Sequence, residues 1–274
     1  MITTDPARTA LRFAALADYY QRAVLAAGGS FVCSCAMECR TSALHRTNTG
    51  FFEAQGEALG HHYDTYENGV PLRVLVVPME TGRTRRFVGL PERTEEVLVR
   101  IGTPWRSWNP HMRGVGLALR LAFGIDLDGD DEKLWLTTPR GRVHLLDAYG
   151  MCNLLLCSAV QLDTTTSRST SVMRSNCSQH LAAAIRILQP TLVISQGATL
   201  AKPLSSLFGL HERLSPNLAL AAMDSVSFVW ADLWHPTYHW DWMARPYFHE
   251  VVIPTLTQAR EVALARATTK DLNS

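Results

Sequence analysis

Four short runs rich in Val, Leu and Ile, at Leu72 to Val77, Val143 to Tyr149, Thr191 to Ser195 and Ser227 to Trp234, alternate along the chain with stretches of helical character. Apolar runs this short suit strands buried on both faces, and strands buried that way belong to a parallel sheet joined by crossover helices. The helical stretches are Arg113 to Phe123, ended by Gly124; Ser178 to Leu188, ended by Pro190; Ala198 to Phe208, ended by Gly209; and a last one near Thr255 to Ala267. An earlier helix begins at Pro6 with Asp5 as its cap, carries Leu11, Ala15, Ala17, Val24 and Leu25, and stops at Gly28 and Gly29. A cysteine-bearing coil follows it. The alternation predicts a doubly wound α/β sheet. There is no internal repeat, low-complexity linker or change of composition, so residues 1–274 read as one domain, with the N-terminal helix and cysteine segment of residues 1–70 packed on it. Val160 to Asn176, rich in Ser and Thr, reads as a loop.

Charge narrows the function classes. The 26 Lys and Arg against 25 Asp and Glu leave a net charge of +1, which excludes a histone-like polycation. With 47% hydrophobic and 19% charged residues, the chain can bury a core and is no disordered tail. The longest uncharged stretches, Ala23 to Met37 and Ile187 to Ala201, fall short of the roughly 18 to 20 apolar residues of a membrane span. The acidic, non-apolar start MITTDPARTALRF is unlike a secretory signal, so a cytoplasmic protein without a membrane partner is expected. In a reducing compartment six cysteines read as metal ligands or core thiols before disulfides. The basic residues divide into 23 Arg and 3 Lys, a bias that arises either from phosphate recognition or from codon usage. Arg83, Arg85, Arg86, Arg93, Arg100, Arg106 and Arg113 lie close in sequence, with Glu92, Glu95 and Glu96 among them, and form a candidate basic patch.

In an open parallel sheet, ligands bind beyond the carboxyl ends of the strands. That rule nominates Pro78-Met79-Glu80-Thr81-Gly82 after the first run, Gly150-Met151-Cys152-Asn153 after the second and His235-Pro236-Thr237-Tyr238 after the fourth. A Glu, an Asn and a His would share one cleft.

The segments LRVLVVPMETG, RRFVG, CNLLLC, the Cys177 region running to PTLVISQG, and LWHPTY together resemble the uracil-DNA glycosylase superfamily, most closely its iron–sulfur branch of families 4 and 5. The resemblance spans roughly Cys33 to Ala267 and implies a three-layer α/β/α fold with a central four-stranded parallel sheet. It implies a monomeric enzyme that extrudes an unwanted pyrimidine from DNA and hydrolyses its N-glycosidic bond. Glu80 and His235 would be catalytic. Phe87, Asn153 and Met79 would bind the base, and Arg85, Arg86, Tyr238, Trp240 and Arg245 would contact DNA. Each residue has a plainer reading as well: a core His or Phe, a surface Glu on a turn, tryptophans packed on the last helix.

Pro78-Met79-Glu80-Thr81-Gly82 departs from the family's first motif, Gly-Glu-Gly/Ala-Pro-Gly, by moving the acid one place. The departure opens the choice of base, so a modified cytosine in foreign or phage DNA stands beside uracil, and defence beside repair. The family's 4Fe-4S cluster would be held by Cys35, Cys39, Cys157 and Cys177, with Cys33 competing for a position, zinc as the lesser alternative and Cys152 left in the core. A catalytically silent iron–sulfur DNA-binding module of the same fold is the second reading.

Overall fold

The computed structural model describes residues 1–82, 85–127, 131–164, 166–236 and 246–271. Its centre is a seven-stranded mixed sheet flanked by helices. In chain order the strands are β1 (Ala58–Leu59), β2 (Val74–Pro78), β3 (Tyr149–Met151), β4 (Leu192–Gln196), β5 (Gly209–Ser215), β6 (Leu218–Met223) and β7 (Val226–Leu233). Across the sheet they run β5-β6-β7-β4-β2-β3-β1. The pairs β7·β4, β4·β2 and β2·β3 are parallel, while β5·β6, β6·β7 and β3·β1 are antiparallel. Four parallel strands, in the order β3-β2-β4-β7, form the middle of the sheet; the first, third and fourth expected runs are β2, β4 and β7, and the sheet is wider than four.

Alternation along the strands divides the core in two. Val74, Val76, Leu192, Ile194, Val229, Ala231 and Leu233 pack in one cluster with residues of α4 (Pro110–Ala122) and α7 (Ile253–Asp271). Leu75, Val77, Val193 and Trp230 pack on the other face with residues of α1 (Pro6–Ala23), α2 (Ala36–Leu44), α5 (Ser171–Leu188) and α6 (Ala201–Leu207). Burial on both faces is why the sequence shows these strands as short apolar runs.

Several expectations are corrected. Val143 to Tyr149 is no strand. Gly141–His144 pairs instead with Trp135–Thr138, Leu145–Asp147 turns tightly where the His144 ring accepts the Leu146 N–H, and β3 begins only at Tyr149. The cysteine-bearing coil contains a helix, since Cys39 lies within α2 and Cys35 caps it. The Ser/Thr loop is shorter than expected: Ser158–Gln161 pairs with Thr49–Phe52, and α5 starts at Ser171, where the Thr170 hydroxyl accepts the Met173 N–H. Cys177 consequently sits inside α5 rather than at its start. A further helix, α3 (Leu90–Leu98), occupies the arginine-rich stretch. Among the described residues no helix is long and apolar enough to cross a membrane.

The N-terminal helix is tied to the sheet by a buried carboxylate. Asp64, fully enclosed, accepts both Arg12 Nε contacts (3.0 and 3.1 Å) and a Thr9 hydroxyl, while Arg73 approaches to 4.0 Å. Arg12 also donates to the Ile187 carbonyl at the end of α5. Removing the acid leaves two buried guanidiniums without their counter-charge, so Asp64→Ala is expected to cost about 3–5 kcal/mol of stability, read as a lower urea midpoint with an unchanged slope.

Candidate functional site

The loops after β2 and β3 meet. Cys152 N–H donates to the Val76 carbonyl, Leu154 N–H to Pro78 and Leu155 N–H to Met79, so the two chains run side by side past the sheet edge. Across them the buried Asn153 amide donates to the Thr81 hydroxyl at 3.0 Å. Glu80 lies in the same loop. Its Oε2 accepts the Ala159 N–H at 2.8 Å, and its Oε1 is buried with no hydrogen-bond partner. Burial lifts the Glu80 carboxyl to about 7, with the Ser167 hydroxyl and the Ala159 N–H drawing it partly back. A carboxyl group in this state holds a proton in the acid range and becomes a base near neutrality.

His235 follows β7 by two residues. Its ring stacks on His111 of α4 with centroids 5.0 Å apart and planes 13° from parallel. The close approach of this loop to α4 depends on Gly114, where a Cβ would stand 2.2 Å from the Pro236 Cβ. Burial lowers the His235 pKa. Burial, then His235 and then Arg100, push His111 down to about 3, and its enclosed Nδ1 has no hydrogen-bond partner. Both rings are held toward the neutral form. Sequence reasoning had nothing to single out His111, because only the packing of Gly114 against Pro236 brings it beneath His235.

Phe87 is 43% exposed and adopts φ +60°, a left-handed conformation that costs an aromatic residue about 1–3 kcal/mol. Its backbone is held there by bonds from Phe87 N–H to the Glu53 carbonyl and from Val88 N–H to the Ala54 carbonyl, and by the Gln55 amide donating to the Arg85 carbonyl. The plain reading of a core Phe is therefore overturned; the ring stands out beside Phe31, 6.5 Å away. Arg85 pairs with Glu92 and Glu96, and Arg86 with the buried Glu53, which also binds Arg40. The candidate basic rim is thus largely matched by acids, although both arginines are exposed. Arg83, Tyr238, Trp240 and Arg245 lie outside the described residues. An aromatic not foreseen from sequence, Trp234, is 43% exposed and stacks flat on Tyr247 at 4.3 Å, next to His235.

Five cysteines converge. Cys33, Cys35, Cys39, Cys157 and Cys177 line one small cavity with Val24, Phe31, Leu156 and His180. They come from the segment leading into α2, α2 itself, the chain before Ser158–Gln161, and α5. Cys33 approaches His180 Nε2 at 3.7 Å, and Asn176 Nδ2 approaches Cys39 Sγ at 3.5 Å. Burial, and the thiols' mutual proximity, raise Cys33, Cys39 and Cys157 and push Cys177 up to about 12. Among the described residues no carboxylate lines the cavity; its donors are soft sulfur, with His180 and Asn176 set in an otherwise apolar lining, which fits a thiolate-bound cluster. Among the described residues, no three His, Cys, Asp or Glu side chains are gathered closely enough to hold a single metal ion. Cys152, fully buried, is not part of this lining.

No protein-family model matches the chain, and no curated protein matches it.

The structure brings Glu80 and Asn153 into adjoining loops at one end of the sheet and gathers the predicted cysteines with Cys33. It adds His111 under His235. Because His111 titrates near 3 when folded and 6.5 when free, the unfolded chain binds its proton first as pH falls, and stability is lost from about 6.5 downward. His111→Phe keeps a ring for the stack and removes the titrating nitrogen. Melting temperature should therefore fall less steeply in the variant than in the wild type between pH 6.5 and 4.

Proposed function

We propose that this protein is a DNA glycosylase that hydrolyses the N-glycosidic bond of an unwanted pyrimidine and leaves an abasic site. The observation that carries the reading is the meeting of Glu80, with an unpartnered buried Oε1, and Asn153 beyond the carboxyl ends of parallel strands whose order is second, first, third, fourth. The expected uracil-DNA glycosylase likeness rests on the motifs at the strand ends.

In this reading the extruded base stacks on the outward-facing Phe87, and the Asn153 amide meets its hydrogen-bonding edge. The bond between C1′ and the base nitrogen breaks with its electron pair passing to the base. The neutral His235 ring donates an N–H to the base oxygen, stabilising the departing anion without transferring charge. Ionised Glu80 faces the positive sugar and orients a water, which adds to C1′ and gives its proton to the carboxylate. Uracil and a modified cytosine remain the two substrate classes, because an amide can turn to match either edge. DNA is the partner, and the exposed Trp234 on Tyr247 supplies a stacking surface beside the site.

Cys35, Cys39, Cys157 and Cys177, with Cys33 as a fifth thiol, would hold a 4Fe-4S cluster, which when bound supplies a redox-capable cross-link between the N-terminal segment and α5. A cluster is preferred to zinc because five cysteines line the cavity while, among the described residues, no three ligands are gathered around one ion. Anaerobically purified protein is expected to carry about four iron atoms, as such a cluster contains, with absorbance in the visible. Cys157→Ser should lose both; a colourless wild type containing one zinc would reverse the assignment.

The catalytic reading is tested on oligonucleotides bearing uracil or modified cytosines, followed by cleavage at abasic sites. Base release should rise with pH through about 7 as Glu80 ionises, and both Glu80→Gln and His235→Ala should lower it by about a hundredfold or more. The silent DNA-binding reading is favoured by one observation, the bond from Ala159 N–H that engages Glu80 Oε2. It predicts DNA binding, no base release on any substrate, and a Glu80→Gln protein indistinguishable from the wild type.

A further inference from the structure

The strand that the functional loops surround ends in a residue with no structural reason to be polar. Gln196 closes β4, has no exposed surface, and neither its Oε1 nor its Nε2 has a hydrogen-bond partner. An unsatisfied buried amide costs about 1–3 kcal/mol, and a Leu or Met would fill the position without that cost.

Its place in the sheet is specific. Gln196 is level with Pro78 of β2 on one side and Leu233 of β7 on the other. Because β2 is the first parallel strand and β4 the third, with β3 on the far side of β2, the boundary between β2 and β4 is where the winding reverses. Ligands in open α/β sheets bind at that point, beyond the strand ends. Leu192 and Ile194 put this side of β4 on the face covered by α4, so Gln196 falls on the same face as Met112 and Val115. At the same end of that face His111 and His235 stack, and His111 Nδ1 is another enclosed nitrogen without a partner. Two buried polar groups left open at one end of one sheet face make a recognition surface for a flat, uncharged ligand with adjoining donor and acceptor atoms. A pyrimidine presents such an edge.

Resting on the glycosylase reading, we infer that Gln196 is a specificity-determining residue of the base pocket, whose amide shares with Asn153 the hydrogen-bonding edge of the extruded pyrimidine. With no protein bond fixing its rotation, the amide can present either its oxygen or its nitrogen. It therefore accepts a ring with O4 and N3–H or one with an exocyclic N4 amine and bare N3.

Gln196→Leu separates this from a packing role, because the two predict opposite changes. Removing an orphan amide in favour of an apolar side chain of similar length should raise the melting temperature by a few degrees. The same change should lower single-turnover base release by at least about tenfold and abolish the thermal shift given by free uracil or cytosine. Gln196→Glu, which offers only acceptors when ionised, should lose uracil more than cytosine. Unchanged base release and unchanged pyrimidine binding in Gln196→Leu would overturn the assignment, as would a lowered melting temperature with both functions scaled down together. If the wild type releases no base from any oligonucleotide, yet free pyrimidines stabilise it and fail to stabilise Gln196→Leu, the glycosylase reading falls while the Gln196 assignment stands. Absence of both base release and pyrimidine binding in the wild type overturns both.

Discussion

The parallel ladder through β2, β4 and β7 sets Pro78, Gln196 and Leu233 at one level. Glu80, Asn153 and His235 all follow from that level. In a parallel sheet all strands finish at the same edge, so loops remote in sequence emerge together, and the crossover helices are kept to the faces. Met79 and Glu80 leave one strand as Cys152 and Asn153 leave its neighbour, and the backbone bonds between these two loops hold their side chains at a fixed spacing. Slipping the register by one residue would exchange the two core faces, exposing Val76 and Ile194 to the positions of Val77 and Val193. The apolar faces thereby protect the geometry of the polar groups at the strand ends.

Those polar groups are kept in unfavourable states. Glu80 is half-buried with one oxygen unmatched, His111 has an enclosed nitrogen and a strongly depressed pKa, and Phe87 holds a backbone angle suited to glycine. Each costs stability that the apolar core on the two faces of the sheet offsets. The cysteine cavity follows the same logic. Five thiols packed together disfavour their own ionisation, and the proposed cluster, if bound, would reverse the sign of that interaction by stabilising the thiolates. Its location matters mechanically: it joins the segment before α2 to α5, and the apolar residues Val24, Phe31 and Leu156 shield it.

Much of this was legible in the chain. The first, third and fourth apolar runs became β2, β4 and β7 within a few residues, because strands buried on both faces leave a continuous apolar signature. The second misled, since Leu145 and Leu146 are buried in a tight turn held by His144 rather than in a strand. β5 and β6 escaped notice for different reasons: β5, GLHERLS, is largely solvent-facing, and β6, LALAAM, is as compatible with a helix as with a strand. At the site, residues at strand ends could be nominated by the topology rule alone, and the four cysteines only through the resemblance to the iron–sulfur branch. Invisible from sequence were the ion pairs that match Arg85 and Arg86, the stack of His111 under His235, and the orphan amide of Gln196. Each depends on contacts between segments distant in sequence, and no local pattern encodes such contacts.

The proposed glycosylase requires the strand ends to form a pocket for a base removed from the DNA stack. The sharpest test is a crystal structure of the Glu80→Gln protein with a duplex carrying the released pyrimidine. The nucleotide should be rotated out of the helix, with its ring on Phe87, its edge toward Asn153 and its oxygen within hydrogen-bond distance of His235. A duplex bound with every base stacked and paired, and with the space between these residues closed, would contradict this requirement.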